Sequence, residues 1–427
     1  MFIHCRLKLS HLANSISAIT LALGLVIAEP AAQKSLAQEA PVQINGLGAT
    51  FPAPLYTNED GWFNTYGNAV PPAFNYSGPI NSNVQFRYAA VGSEAAINSF
   101  FTQTPPSIGE KSTVPRPIAF GVIDAPLEQL GLEERTVTGD PNSGLPIQVP
   151  LVADAIAVTY NPQGLRTPPG GLRFSRATYC GIFTGQITNF SHYRLQLDTT
   201  FPSALNLQIK VVRRSDSSGS TYLLSKHLKT VCQGTPYPWN RGVGTISVVG
   251  DPPANPDPNT VYWPKNFLSV NGSSEVAKTV AKNPGAIAYI ENSVRLTAFL
   301  PAAALENEAG YFAAPSPEAI ISALKDANDT NPNPKIITLD VSNPADQSAY
   351  PIPAVNYLWL YSKYVDTNLV VAIRGFFNDF VTSVTPSSDP QRNADQIAIN
   401  QGYAPLPRNV KDAVRGVVNT YVSSDGN

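Results

Sequence analysis

Val211-Val212-Arg213-Arg214-Ser215-Asp216-Ser217-Ser218-Gly219-Ser220 is the stretch from which the rest of the chain is best read. Two β-branched residues close a strand, two arginines follow, and an acidic, hydroxyl-rich turn with one glycine comes next. Thr221-Tyr222-Leu223-Leu224-Ser225-Lys226-His227-Leu228 then reads as the start of a helix. A strand that ends in arginine and runs through Ser-Ser-Gly-Ser into a helix suits an anion. The helix N-terminus presents unpaired N–H groups and a partial positive charge, and the serines add hydroxyl donors.

Three earlier segments share this grammar of strand, small or acidic turn, then helix. Val42 to Leu47 leads into Gly48-Ala49-Thr50-Phe51-Pro52, with Thr50 expected as the N-cap and Pro52 in the first turn. Phe86 to Val91 leads into Gly92-Ser93-Glu94, with Ser93 in the capping position. Ile118 to Ile123 is a buried-type strand ending on Asp124. Ser, Thr and Asp are also the ordinary helix caps, so each turn taken singly reads equally well as plain capping. Further along, Leu151 to Tyr160 is an apolar strand that carries the chain between domains. Gly250 to Pro264 is a proline-rich insertion, and Asn283 to Ile290 is a turn into a strand. Ala354 to Tyr361 is a late strand, and Leu369 to Val381 has the spacing of a packed helix. Alternation of strands and helices implies an α/β fold, whose ligands bind beyond the carboxyl ends of the strands.

Composition narrows the class. With 427 residues the chain has room for two or three domains, and 43% hydrophobic content at net charge −2 describes a globular protein. It excludes a nucleic-acid binder and a disordered chain. Arg6 and Lys8 precede an apolar run of about 13 residues, Ile16 to Ala28, and small residues follow at Ala31, Ala32, Ser35 and Ala37. This is the pattern of a secretory signal peptide over 1–37, too short for the roughly 18–20 residues of a membrane span. Cys5 precedes the apolar core and is removed with it. The remaining pair, Cys180 and Cys232, is an even count in an oxidising compartment, which favours a disulfide over two separate buried thiols.

Chemistry at the turns follows from residue types. Arg214 offers a planar fork of donors for a phosphate-like oxyanion, and Asp216 can hold that guanidinium or bond its own backbone. Asp124 should repel an anion, unless the anion carries a proton that the carboxylate accepts. A protonated phosphate meets that condition. Sulfate would leave a buried acceptor unpaired beside a like charge, at roughly 1–3 kcal/mol. A phosphatase is the enzyme alternative. It needs metal-ligand clusters or a nucleophile elbow, whereas the exported chain keeps only His192 and His227 and has no Gly-x-Ser-x-Gly. His192 reads as a surface-loop residue and His227 as the edge of a packed helix.

Gly48-Ala49-Thr50-Phe51-Pro52-Ala53-Pro54, Gly92-Ser93, Phe120 to Pro126 and Val211 to Ser220 resemble the extracytoplasmic phosphate-binding proteins of ABC phosphate transporters. Pro284 to Ile290 and Gly402 to Pro407 look like further landmarks, and the similarity runs from about 42 to 420. The resemblance implies a two-domain clamshell of the type II periplasmic-binding-protein kind. Each domain is a sheet flanked by helices, and a two-crossover hinge joins them. Residues 42–155 with 293–427 would form one domain and 156–292 the other. It implies that Thr50, the Phe51 backbone, Ser93 and Asp124 bind phosphate from the first domain. Arg214, Ser218, Gly219 and Ser220 would bind from the second, with Asp216 orienting Arg214. The expected partners are inorganic phosphate and a membrane permease, with no cofactor, metal or nucleic acid, and with the protein a monomer in the periplasm or secreted. A secreted phosphate sensor or attachment protein is the other non-enzymatic reading. Three positions depart from the family pattern: Ser220 where threonine is common, Ser217 where glycine is usual, and Glu94 where a small residue follows the serine. The stretches 77–90, 102–117 and 250–264 look longer than the family norm.

Overall fold

One strand, Ser143–Tyr160, organises the sheet. The computed structural model describes residues 40–69, 80–108, 111–112, 115–137, 142–199, 206–325 and 327–424. For Asn68, Ala69, Ser93, Glu94, Ser107, Ile108, Lys111 and Ser112 it describes the backbone alone. The signal-peptide reading of 1–37, Cys5, the expected strand at Phe74 to Tyr76, and parts of 77–90 and 102–117 fall outside these residues.

From Ser143 to Ala155 the long strand pairs antiparallel with Pro353–Tyr364. From Ile156 to Tyr160 it pairs instead with Ala286–Glu291, also antiparallel. It therefore changes neighbours at the Ala155–Ile156 bond. The strand begins eight residues before the expected start at Leu151, because Pro146 and Pro150 lower its strand signal. Both prolines are nonetheless accommodated: the register steps past Leu151 opposite Asn356 and Tyr357, an irregularity of the kind that re-aims side chains near sites.

The sheet runs, edge to edge, through Leu268–Val270, Lys210–Arg214, Ala286–Glu291, Ser143–Tyr160, Pro353–Tyr364, Phe120–Ile123, Val42–Gly48, Val84–Ala90 and Asn68–Ala69. Lys210–Arg214 lies parallel to both of its neighbours, and Val42–Gly48 lies parallel to both of its own. Helices follow these parallel strands: Ala53–Thr57, Ser93–Thr102, Gly219–Val231 and Ser273–Lys282. The architecture is the expected α/β one, with sheet flanked by helices. Its strands read as near-continuous apolar runs because both faces are covered; Phe120–Ile123 and Ala286–Glu291 are buried throughout. Trp62, Trp239, Trp263 and Trp359 are fully buried, and a smaller cluster seals the Ser273–Lys282 helix onto Val212, Ala286, Ala288 and Ile290.

Two details were not read from the sequence. The proline-rich segment 250–264 contains a strand: Thr260–Trp263 is buried and parallel to Ile246–Val249. The chain after 292 also stays for a while beside the 156–292 segment, since Ala304–Glu306 pairs with Arg173–Phe174. Cys180 and Cys232 are disulfide-bonded, which ties the Arg176–Phe183 helix to the C-terminal end of Gly219–Val231.

Candidate anion site

Parallel strands deliver their carboxyl ends to one edge of the sheet, and the turn residues come with them. Gly48 precedes Thr50, Ile123 precedes Asp124, Arg214 opens the 215–218 turn, and Val270 precedes Gly272 and Ser273. Gly48 is needed there, because a β-carbon would stand 2.0 Å from the Val122 carbonyl oxygen at φ +153°.

Arg214 is the buried cation of the group, 4% exposed. Its Nε donates to Asp216 Oδ1 at 2.7 Å, its Nη2 pairs with Asp216 Oδ2, and its Nη1 donates to Ser273 Oγ at 2.8 Å. Burial opposes its charge, but the Asp216 hydrogen bond and the Glu291 and Asp216 charges outweigh it and keep the guanidinium firmly protonated. Asp216 also accepts the Gly272 N–H at 3.0 Å; burial raises its pKa, and Arg214 more than offsets this and lowers it. Asp216 therefore holds two edges of the guanidinium and does not merely close its own turn.

Ser218 is the N-cap of the Gly219–Val231 helix and accepts the Thr221 N–H at 3.4 Å. Among the described residues the Gly219 and Ser220 amides find no backbone acceptor, as befits a first turn. Asp124 faces this turn. It is 5% exposed, and a β-carbon on Gly219 would stand 2.4 Å from the Asp124 β-carbon. Asn356 Nδ2 donates to Asp124 Oδ1 at 3.0 Å, and Tyr56 Oη donates to Asn356 Oδ1 at 2.9 Å. Burial first, and then the Glu291 carboxylate, push Asp124 from the usual 3.8 up to about 7. Asn356 and Arg214 pull the other way without cancelling this.

The remaining expected residues are placed differently from their reading as caps. Thr50 caps no helix. Pro52 has no N–H to offer, and the Ala53 N–H goes to the Thr50 carbonyl oxygen at 3.4 Å, so the helix begins at Ala53. The Phe51 carbonyl accepts from Tyr403 Oη at 2.7 Å, and the two rings stack with centroids 5.9 Å apart. Gly92, at φ +85°, takes the N-cap position, so Ser93 is the first helical residue; its side chain lies outside the described residues. A cleft of about 370 Å³ opens between Val91, Gly92 and Asn98 on one wall and Asp216, Ser217 and Asn271 on the other.

Reading by turn motif missed Glu291, Ser273, Asn356, Tyr56 and Tyr403. Glu291 is 2% exposed at the end of its strand and accepts from Ser220 Oγ and from Ser273 Oγ. The signal for Glu291 and Asn356 was present: each is a polar residue set in or just after an apolar strand, as Asp124 is. The two histidines are also structural. His192 caps the Tyr193–Asp198 helix instead of sitting free in a loop. His227 is buried, 3.1 Å from Tyr179 Oη, and burial lowers its pKa from 6.5 to about 4.

The arrangement joins one oriented guanidinium, the first turn of a helix and an opposed carboxylate: donors for an oxyanion plus one acceptor. A phosphate-binding protein PstS of Xylella fastidiosa is 25% identical over 376 residues, covering 88% of this chain and 85% of that one. A Pseudomonas aeruginosa protein named alkaline phosphatase L is 29% identical over 230 residues, covering 53% of this chain and 55% of its own. The crystal structure of a phosphate-binding protein from Stenotrophomonas maltophilia superposes with a TM-score of 0.62 at 22% identity, covering 90% of this chain and 97% of that one. The model of the PBP superfamily domain matches residues 68–385. That span is most of the sheet and its helices, and the chain belongs to the PBP superfamily.

Proposed function

We propose that this protein binds inorganic phosphate outside the cytoplasmic membrane and delivers it to the permease of an ABC transporter. The observation that carries the reading is Asp124 set against the first turn of the Gly219–Val231 helix, opposite the Arg214–Asp216 pair. Donors alone attract any oxyanion. A buried acceptor among them favours an anion that brings a proton, and phosphate does so while sulfate does not.

In this account Thr50, the Phe51 amide, Ser93 and Asp124 bind from the lobe made of 42–155 and 293–427. Arg214, Ser218, Gly219 and Ser220 bind from the lobe 156–292. The lobes turn about the long strand where it changes partners, at Ala155–Ile156. The N-terminal 1–37 segment directs export, and the protein works as a monomer. The PstS relative, a phosphate-binding protein by name, supports the phosphate part of this reading.

Hydrolysis enters as a second reading through the Pseudomonas relative. His227 does not favour it, because the ring is fully buried and engaged by Tyr179 and Ser342. Calorimetry of the purified protein with phosphate, sulfate and arsenate tests the main reading. Tight phosphate binding with weak or no sulfate binding is expected, and equal binding of the two would overturn it. Sustained phosphate release from a phosphomonoester would favour the enzyme.

A further inference from the structure

Ser220 is a hydroxyl in the first turn of the helix, 2% exposed, next in sequence to Gly219, which stands against Asp124. Its single proton is already committed. Ser220 Oγ lies within hydrogen-bond distance of Glu291 Oε1, and a carboxylate only accepts, so Ser220 is the donor. Ser273 makes the same polarity unavoidable from the other side. Arg214 Nη1 donates to Ser273 Oγ at 2.8 Å, which leaves the Ser273 proton for Glu291 Oε1 at 3.0 Å. Arg214 Nη1 itself stands 3.8 Å from that oxygen. Glu291 Oε2 is buried without a hydrogen-bond partner among the described residues.

A hydroxyl has one donor and two lone pairs. With its proton on Glu291, Ser220 can show an anion only lone pairs, which repel a bare phosphate oxygen and welcome a P–O–H. Taking the phosphate reading as its premise, we propose that Glu291 is a specificity-determining positioning residue. By holding the Ser220 proton it makes Ser220 a second proton acceptor of the site, beside Asp124, so that the bound species is dihydrogen phosphate.

Protons balance as follows. Monohydrogen phosphate brings one proton, which goes to Asp124 as a hydrogen bond. A second proton is taken from solution onto the oxygen that faces Ser220, and no bond other than O–H is made. The charge around Glu291 agrees with such uptake. Asp124 and Asp154 are the carboxylates that interact with it, Arg214 is the cation against it, and Tyr403 is the nearby phenol. An anion of lower charge is the one this surrounding accepts.

The test is calorimetry with inorganic phosphate at pH 8.5, run in two buffers of different ionisation enthalpy, which counts protons taken up on binding. The wild-type protein is expected to take up about one proton per phosphate, and its affinity to fall about tenfold per pH unit above neutrality. Glu291→Leu, which removes the acceptor and frees the Ser220 proton to face the anion, is expected to lose that uptake and to flatten the pH dependence. Tight wild-type binding without proton uptake would overturn the inference and leave phosphate binding standing. Uptake that persists in Glu291→Leu would overturn it too, by assigning the proton to Asp124 alone. Should that variant not fold, Ser220→Ala reads the same loss. Absence of any phosphate binding would remove the premise, and the inference with it.

Discussion

Asp124 and Gly219 are in direct contact across the sheet edge: a β-carbon at 219 would stand 2.4 Å from the Asp124 β-carbon and 2.8 Å from Oδ2. The contact joins the carboxyl end of one parallel strand to the first turn of the helix that follows another. On the proposed reading, selectivity and grip meet at a point where no side chain fits between them.

Gly219→Ala follows from that distance. Position 219 opens a helix, so alanine is locally favourable and the fold should be kept. The added methyl stands where the Asp124 side chain must be, and closure on the ligand is obstructed. Phosphate affinity is expected to fall about a hundredfold, near 2.7 kcal/mol, with the thermal midpoint unchanged or raised. Calorimetry and a melting curve read the two effects separately.

Asp216→Ala should weaken phosphate binding through Arg214. The guanidinium keeps Ser273 but loses the carboxylate that sets the plane of its fork. A loss of roughly 1.5–3 kcal/mol is expected, the worth of a charge-assisted hydrogen bond. Asp216→Asn keeps an acceptor for the Gly272 N–H and should fall between alanine and wild type. Retention of full affinity by the alanine variant would contradict the orienting role.

Stability of the unliganded protein should depend on pH with a definite sign. Asp124 and Asp154 are both raised from 3.8 to about 7, chiefly by burial. Between pH 4 and 7 the folded state holds protons that the unfolded state has released, so stability falls as pH rises through that window. His227 acts in the opposite sense, because its pKa drops from 6.5 to about 4 and stability is lost as pH falls through that range. Denaturant midpoints should therefore decline from about pH 4.5 to 7, less steeply below 6.5 where His227 opposes the two carboxyls, and level off above 7. Asp124→Asn, which mimics the protonated side chain, should flatten that decline.

The Cys180–Cys232 bridge closes a sequence separation of 52 and is completely buried. Replacing both cysteines with alanine should cost about 2–4 kcal/mol of stability. The bridge holds the far end of the Gly219–Val231 helix, 13 residues long, so phosphate affinity should change less than threefold. Urea unfolding and calorimetry on the same variant check both statements.

The α/β class was legible because the strands are apolar on both faces and the turns carry small, hydroxylated or acidic residues. The grouping of Asp124, Arg214 and Ser218 to Ser220 was legible for the same reason, since each ends a parallel strand or opens the helix after it. Cap geometry was not. Thr50 caps no helix because Pro52 denies it a donor and the Ala53 N–H goes to the Thr50 carbonyl, and Ser93 yields that position to a glycine with positive φ. Glu291 and Asn356 stood out as polar residues of apolar strands, but what they bond was hidden because their partners lie 71 and 232 residues away in sequence, at Ser220 and Asp124. Local patterns do not carry register, and the step beside Asn356 that seats it under Asp124 is a property of the strand pair.

The measurement closest to the central claim is the ratio of phosphate to sulfate affinity in the wild-type protein and in Asp124→Asn. The account predicts a large ratio in the wild type. It predicts a ratio smaller by at least tenfold in the variant, chiefly through a gain in sulfate binding, because asparagine presents a donor where the carboxylate presented an acceptor. An unchanged ratio would contradict the assignment of selectivity to Asp124.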